Sequence, residues 1–118
     1  MKRFTGEIFW IKLEERKGSS PQRAMNGKIE RAILNDNTFK IGNKNPDTLP
    51  DSEIRLRSKD GFIFDGSAKY LDSPISSAIV SLEYYYNDDK ALLMGTWEED
   101  KVEYMCIIKL KEVNSFND

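Results

Sequence analysis

The sequence predicts an all-β chain folded as a single antiparallel up-and-down barrel of about eight strands, one domain over residues 1–118, with a two-sheet β-sandwich as the alternative. Three observations carry that prediction. Within residues 78–111, Ala78, Val80, Leu82, Tyr84 and Tyr86 recur at every second position. Val102, Tyr104, Cys106, Ile108 and Leu110 repeat the pattern, and residues spaced by two share one face of a pleated strand. Polar breaks at Asn87-Asp88-Asp89 and Glu99-Asp100-Lys101 separate the apolar runs; short acidic and amide side chains bond their own backbone and tolerate left-handed conformations, so these are turns. No segment of about ten residues or more keeps a helical period. Consecutive tight hairpins favour a barrel, which leaves no sheet edge free, whereas two long connections in the first half suit a sandwich.

Residues 4–15 form the first strand, with Phe9, Ile11 and Leu13 on one face and Ile8, Trp10 and Lys12 on the other. Trp10 is expected to cap a barrel end or lie under the following loop, the alternative being a ligand-stacking role. Residues 16–27 are a first long loop carrying Arg16, Lys17 and Arg23, in which Pro21 has no N–H for a ladder. Residues 28–34 and 38–41 flank the Asn35-Asp36-Asn37 turn as a hairpin. Strict alternation puts Ile29, Arg31 and Ile33 on one face. An inward Arg31 would need a carboxylate or ligand anion, unless a local bulge turns it out.

A second long loop, 42–52, contains Pro46 and Pro50. Residues 53–58 alternate Ile54 and Leu56 against Arg55 and Arg57, so the arginines are expected outside. Lys59-Asp60-Gly61 is a tight turn in which Gly61 takes positive φ. Phe62, Phe64, Gly66, Ala68 and Tyr70 then line one face of the next strand, glycine there marking a bend or close packing. Residues 71–77 lead into the meander.

Composition narrows function mainly by exclusion. With 18 basic and 20 acidic residues the net charge is −2, which gives no electrostatic footprint for nucleic acid or an anionic membrane. No run approaches the ~20 apolar residues of a membrane-spanning helix. Charges at Glu7 and Lys12 interrupt any signal-peptide core, and a single cysteine allows no intrachain disulfide, so the cytoplasm is the expected setting. There is no histidine, which removes histidine-based triads and His-ligated metals. Cys106 alternates with the inward face and reads as a small buried hydrophobe. The acidic clusters Asp88-Asp89 and Glu98-Glu99-Asp100 occupy successive turns at opposite ends of an antiparallel sheet, so they form no joint site. No catalytic residue, metal site or cofactor is therefore expected, and the chain is read as non-enzymatic.

Gly95-Thr96-Trp97, followed by a hairpin and the alternating strand from Val102, resembles the Gly-x-Trp strand of the calycin group, the lipocalins and avidin-like barrels. The resemblance covers the last third of the chain, on the penultimate strand rather than the first. It implies a small barrel that holds an apolar ligand inside.

The remaining candidate residues are aromatic. Tyr84 and Tyr86 share a face and Tyr85 takes the other, an arrangement suited to a cavity rim, to a protein-binding surface or to ordinary cross-strand packing. Two readings follow. In the first, the barrel acts through a protein partner, as an inhibitor, immunity-type protein or assembly subunit would, with Tyr85 as anchor. In the second, it is a calycin-like carrier whose apolar or aromatic ligand is bordered by Tyr70, Tyr84, Tyr86, Trp97 and Trp10. Arg31 joins the candidates for partner or ligand binding.

Overall fold

A computed structural model describes residues 1–13, 24–44, 52–70 and 73–116. The chain forms eight strands: β1 (Lys2–Lys12), β2 (Met25–Asn35), β3 (Thr38–Lys44), β4 (Ser52–Ser58), β5 (Ile63–Tyr70), β6 (Ser73–Asn87), β7 (Lys90–Glu99) and β8 (Val102–Val113). Each pairs antiparallel with the next, and β1 pairs with β8 from Arg3↔Val113 to Lys12↔Tyr104, closing an up-and-down barrel. Closure uses every backbone edge that a meander would leave open, so no sandwich forms.

Turn chemistry sets the register. Asp36 and Asn37 at the β2–β3 turn, and Asp100 and Lys101 at the β7–β8 turn, have positive φ at both central positions. That is the mirror-image turn whose twist matches a hairpin. Between β4 and β5 the Asp60 carboxylate accepts hydrogen bonds from the Phe62 and Ile63 amides and the Ser58 hydroxyl, with Gly61 at φ 78°. These bonds favour the ionised form and lower the Asp60 pKa, the Phe62 amide contributing most.

The inward positions are apolar. Ile8, Ile29, Phe39, Ile41, Ile54, Leu56, Leu93, Cys106 and Ile108 have no accessible surface, and a void large enough for water would give its lining some. The middle of the barrel is therefore filled by its own side chains. Arg55 and Arg57 face outward, as the alternation of β4 requires. Charged residues recur on the outer positions of the other strands, Lys40, Asp65 and Glu98 among them. Apolar-in and charged-out is the reverse of a membrane-spanning barrel. Gly95 lies where β6 and β7 approach so closely that a Cβ would collide with the Ser81 carbonyl oxygen. Glycine in the Gly-Thr-Trp triplet is thus explained by backbone contact.

The local bulge expected to turn Arg31 out is present, so the faces of β2 do not alternate strictly. Glu30 and Arg31 both oppose Thr5 of β1 in a bulge, which puts Ile29 and Ala32 inside and Arg31 outside. Other expectations are corrected. The first connection is shifted from 16–27, because β1 ends at Lys12 and β2 begins at Met25; Arg16, Lys17, Pro21 and Arg23, like Pro46 and Pro50, lie outside the described residues. Residues 73–77 belong to β6, since Ser73 pairs with Tyr70 and Ser77 with Lys69. Phe62 precedes β5 and is exposed rather than inward.

Candidate functional site

The barrel has two differently built ends and one outer patch of apolar side chains, and these divide most of the candidate residues among them.

The first end carries the β2–β3, β4–β5 and β6–β7 turns. An aromatic plug fills it: Phe39 lies 6.1 Å from Phe4, 5.1 Å from Phe64 and 5.4 Å from Tyr84, ring centroid to centroid. Tyr84 is half-buried in this plug, and burial, ahead of the nearby Tyr86 and Glu112, raises its phenol pKa. Tyr86 has the same parity but lies past the packed interior. It stacks on Tyr84 at 5.8 Å, remains 70% exposed, and has the Lys2 ammonium 5.5 Å from its ring. Neither borders an internal cavity, because the rings occupy the space themselves.

The second end carries the β7–β8 turn and receives the inward side chains that close the opposite mouth. Trp10 of β1 meets Trp97 of β7 edge to face at 5.4 Å. Trp97 Nε1 donates to Glu99 Oε1 at 3.2 Å, and the Tyr70 hydroxyl donates to the same oxygen at 2.6 Å. Tyr70 reaches Glu99 across β6, whose inward residue beside Glu99 is the small Ala78. Burial first, and then the bond to Glu99, hold the Tyr70 phenol well above its ordinary pKa, so it stays protonated as a donor. Tyr104, from β8, is near enough to contribute to that shift. Structure thus brings Trp10, Tyr70 and Trp97 together and adds Glu99, which sequence reading had treated only as a turn residue. The available signal was parity: Glu99 follows Trp97 by two on the inward face of β7.

An outer patch over β5–β8, beside the first end, gathers large apolar side chains around Glu83. Ile63, Glu83, Met94 and Ile107 are successive cross-strand partners, and Tyr85 pairs with Leu92 in the next rank. Phe62 packs edge to face on Tyr85 at 5.6 Å, and the Tyr85 hydroxyl donates to Glu83 Oε2 at 2.6 Å, a bond that raises the phenol pKa. Phe62 and Ile63 are each 41% exposed, Tyr85 44% and Met94 36%. Beside them runs a groove of about 380 Å³ bordered by Tyr85, Tyr86, Lys90, Leu92 and Lys109. Lys90 lies directly opposite Lys111 across the ladder.

Arg31 belongs to none of these places. It is exposed on β2, with its guanidinium carbon 5.2 Å from the Phe116 ring. Cys106 is buried inside, and burial pushes its thiol up to about 12, so it stays protonated and unreactive at neutral pH. Among the described residues no three Cys, Asp or Glu side chains converge as a metal site. No family model, curated protein or solved structure matches this chain.

Proposed function

We propose that this barrel is a non-enzymatic binding protein that acts through a protein partner docked on the outer face of β5–β8, with Tyr85 as anchor. The observation that carries this reading is the exposed cluster of Phe62, Ile63, Tyr85 and Met94, large apolar side chains gathered where β5, β6 and β7 meet the first end. Tyrosine and methionine are enriched in binding surfaces because they offer contact area or adaptable packing at low entropic cost. The lysines give the partner its chemistry. Lys90 and Lys109 border the groove and Lys111 lies opposite Lys90 across the ladder, so an acidic segment laid in the groove would meet opposite charge. The partner is therefore a protein presenting apolar residues flanked by Asp or Glu, as the target of an inhibitor, an immunity-type protein or an assembly subunit would. The carrier reading draws no such support, since the interior positions where an apolar ligand would sit are taken by side chains.

Affinity capture from the source cell, followed by size-exclusion chromatography with light scattering, tests the proposal. Tyr85→Ala should abolish the complex, at a cost of about 2 kcal/mol of binding or more, and leave the unfolding midpoint nearly unchanged. Raised salt should weaken capture by the wild type. Lost stability with association intact would assign Tyr85 to packing and overturn the reading.

A further inference from the structure

The outer side of the β7–β8 hairpin carries a charge pattern that the barrel's own packing does not explain. Among its outward-facing cross-strand pairs, Lys90 stands opposite Lys111 near the first end, Glu98 opposite Glu103 near the second, and Met94 opposite Ile107 midway between them. Like is set against like at both ends. Like charges directly opposite are unfavourable in a sheet, and among the described residues none of these four charged side chains, all of them exposed, has an ion-pair partner. The stretch between the charged pairs is mostly apolar, Leu92 and Met105 adding to Met94 and Ile107, and Met94 is 36% exposed. Turned end for end, this face shows the same pattern with the signs of charge exchanged.

We propose that the outer face of β7–β8 docks a second copy of this chain, face to face and antiparallel, as a two-fold homodimer. The proposal rests on the reading of the outer face as a protein-docking surface and names its occupant, because apolar residues flanked by glutamate are what the far half of the same hairpin presents. With the two-fold axis across the strands at the Met94–Ile107 pair, Lys90 comes over Glu98 of the second copy and Lys111 over Glu103 of the second copy. Met94 and Ile107 then meet their own copies. At ~3.4 Å per residue the two charged pairs stand about 27 Å apart, so only this register satisfies both ends. Each contact occurs twice, as a two-fold interface requires, and closure stops association at two. Glu83, level with Met94 on β6, is turned towards the rim by the curvature of the barrel and accepts the Tyr85 hydroxyl there, so Tyr85 flanks the contact at its lysine end.

Sedimentation equilibrium and light scattering on the purified full chain test this, with two charge-reversed double variants. The wild type should have twice the monomer mass, with a dimer Kd at or below about 10 µM. Lys90→Glu with Lys111→Glu, and separately Glu98→Lys with Glu103→Lys, should each be monomeric at about 100 µM, because either change sets like charges over one another at both ends of the interface. Their circular dichroism should match the wild type, since all four positions are exposed. Mixed one to one, the two variants should form a heterodimer within about tenfold of the wild-type affinity, because every contact again joins opposite charges. A wild type that is monomeric at about 100 µM, dimers in both reversed variants, or folded variants that do not pair on mixing would overturn the proposal. A monomeric wild type that still captures a different protein through Tyr85 would overturn the homodimer and leave the Tyr85 reading standing. Full recovery on mixing, with Tyr85→Ala dimerising like the wild type, would support the homodimer and remove Tyr85 as anchor.

Discussion

Phe39 is the hub of the aromatic plug, and replacing it tests whether the barrel is one cooperative unit. Its side chain is fully buried and touches three other rings, with centroids 5.1–6.1 Å away. Phe39→Ala should cost about 4 kcal/mol, the sum of lost transfer energy and an unfilled cavity among rings that cannot close over it. Phe39→Leu keeps most of the apolar bulk and loses only ring-edge contacts, so about 1–2 kcal/mol is expected. With a urea m-value near ~2 kcal/mol/M the alanine variant's midpoint should fall by about 2 M at unchanged m. The assay has a useful asymmetry. Trp10 and Trp97 sit at the far end of the barrel from Phe39, so their emission reports only unfolding that has crossed the whole molecule. Circular dichroism and tryptophan emission should give the same midpoint for both variants. A loss below ~1 kcal/mol, or ellipticity that falls well before the emission changes, would show that the plugged end opens by itself and that the packing argument is wrong.

Two further predictions concern the core. Leu82→Ala should destabilise by about 2–4 kcal/mol in denaturant unfolding, because Leu82 is 1% exposed on the inward face of β6; a loss below ~0.5 kcal/mol would contradict that position. Cys106 should make the protein sensitive to alkali. Its folded pKa of about 12 lies above the ordinary 9.0, so its contribution is complete below pH 9 and is lost as the pH rises from there towards 12. Tyr70, also raised, acts in the same direction from 10.0 upward. Urea midpoints of wild type and Cys106→Ala, compared at about pH 8 and about pH 10.5, should converge at the higher pH.

Much of the fold was legible because a period of two is a direct record of which side is buried. Ile54, Arg55, Leu56 and Arg57 needed nothing more than alternation to be placed, and so did Ala78, Val80 and Leu82. The misplacements occur where alternation is interrupted or outlasts its cause. At Glu30-Arg31 one extra residue shifts the phase; an arginine at an inward position hinted at a bulge, but its place answers to pairing with β1 and β3. Tyr86 keeps the inward parity of Tyr84, yet the packed interior has ended by then, so parity no longer means burial. The cluster at the tryptophan end was half visible. Trp10, Tyr70 and Trp97 were candidates together with Tyr84 and Tyr86, but which of them meet depends on barrel closure and on the small Ala78 beside Glu99, which are facts of register.

The seam between β1 and β8 also has a meaning in time. Ile8 lies opposite Ile108, so the ladder that closes the barrel joins residues from the two ends of the described chain. Bringing them together costs about 4 kcal/mol of loop-closure entropy on a simple ideal-chain scaling, before any contact across the seam is gained. During synthesis, the first strand must wait with one edge bare until β8 has emerged, and a chain stopped short of Val102 would carry two unpaired edges. A circular permutant cut between Asp100 and Lys101, with the old ends joined by a short flexible linker, turns that seam into a local hairpin and moves the costly closure to the β7–β8 ladder. The wait would then belong to a different pair of strands.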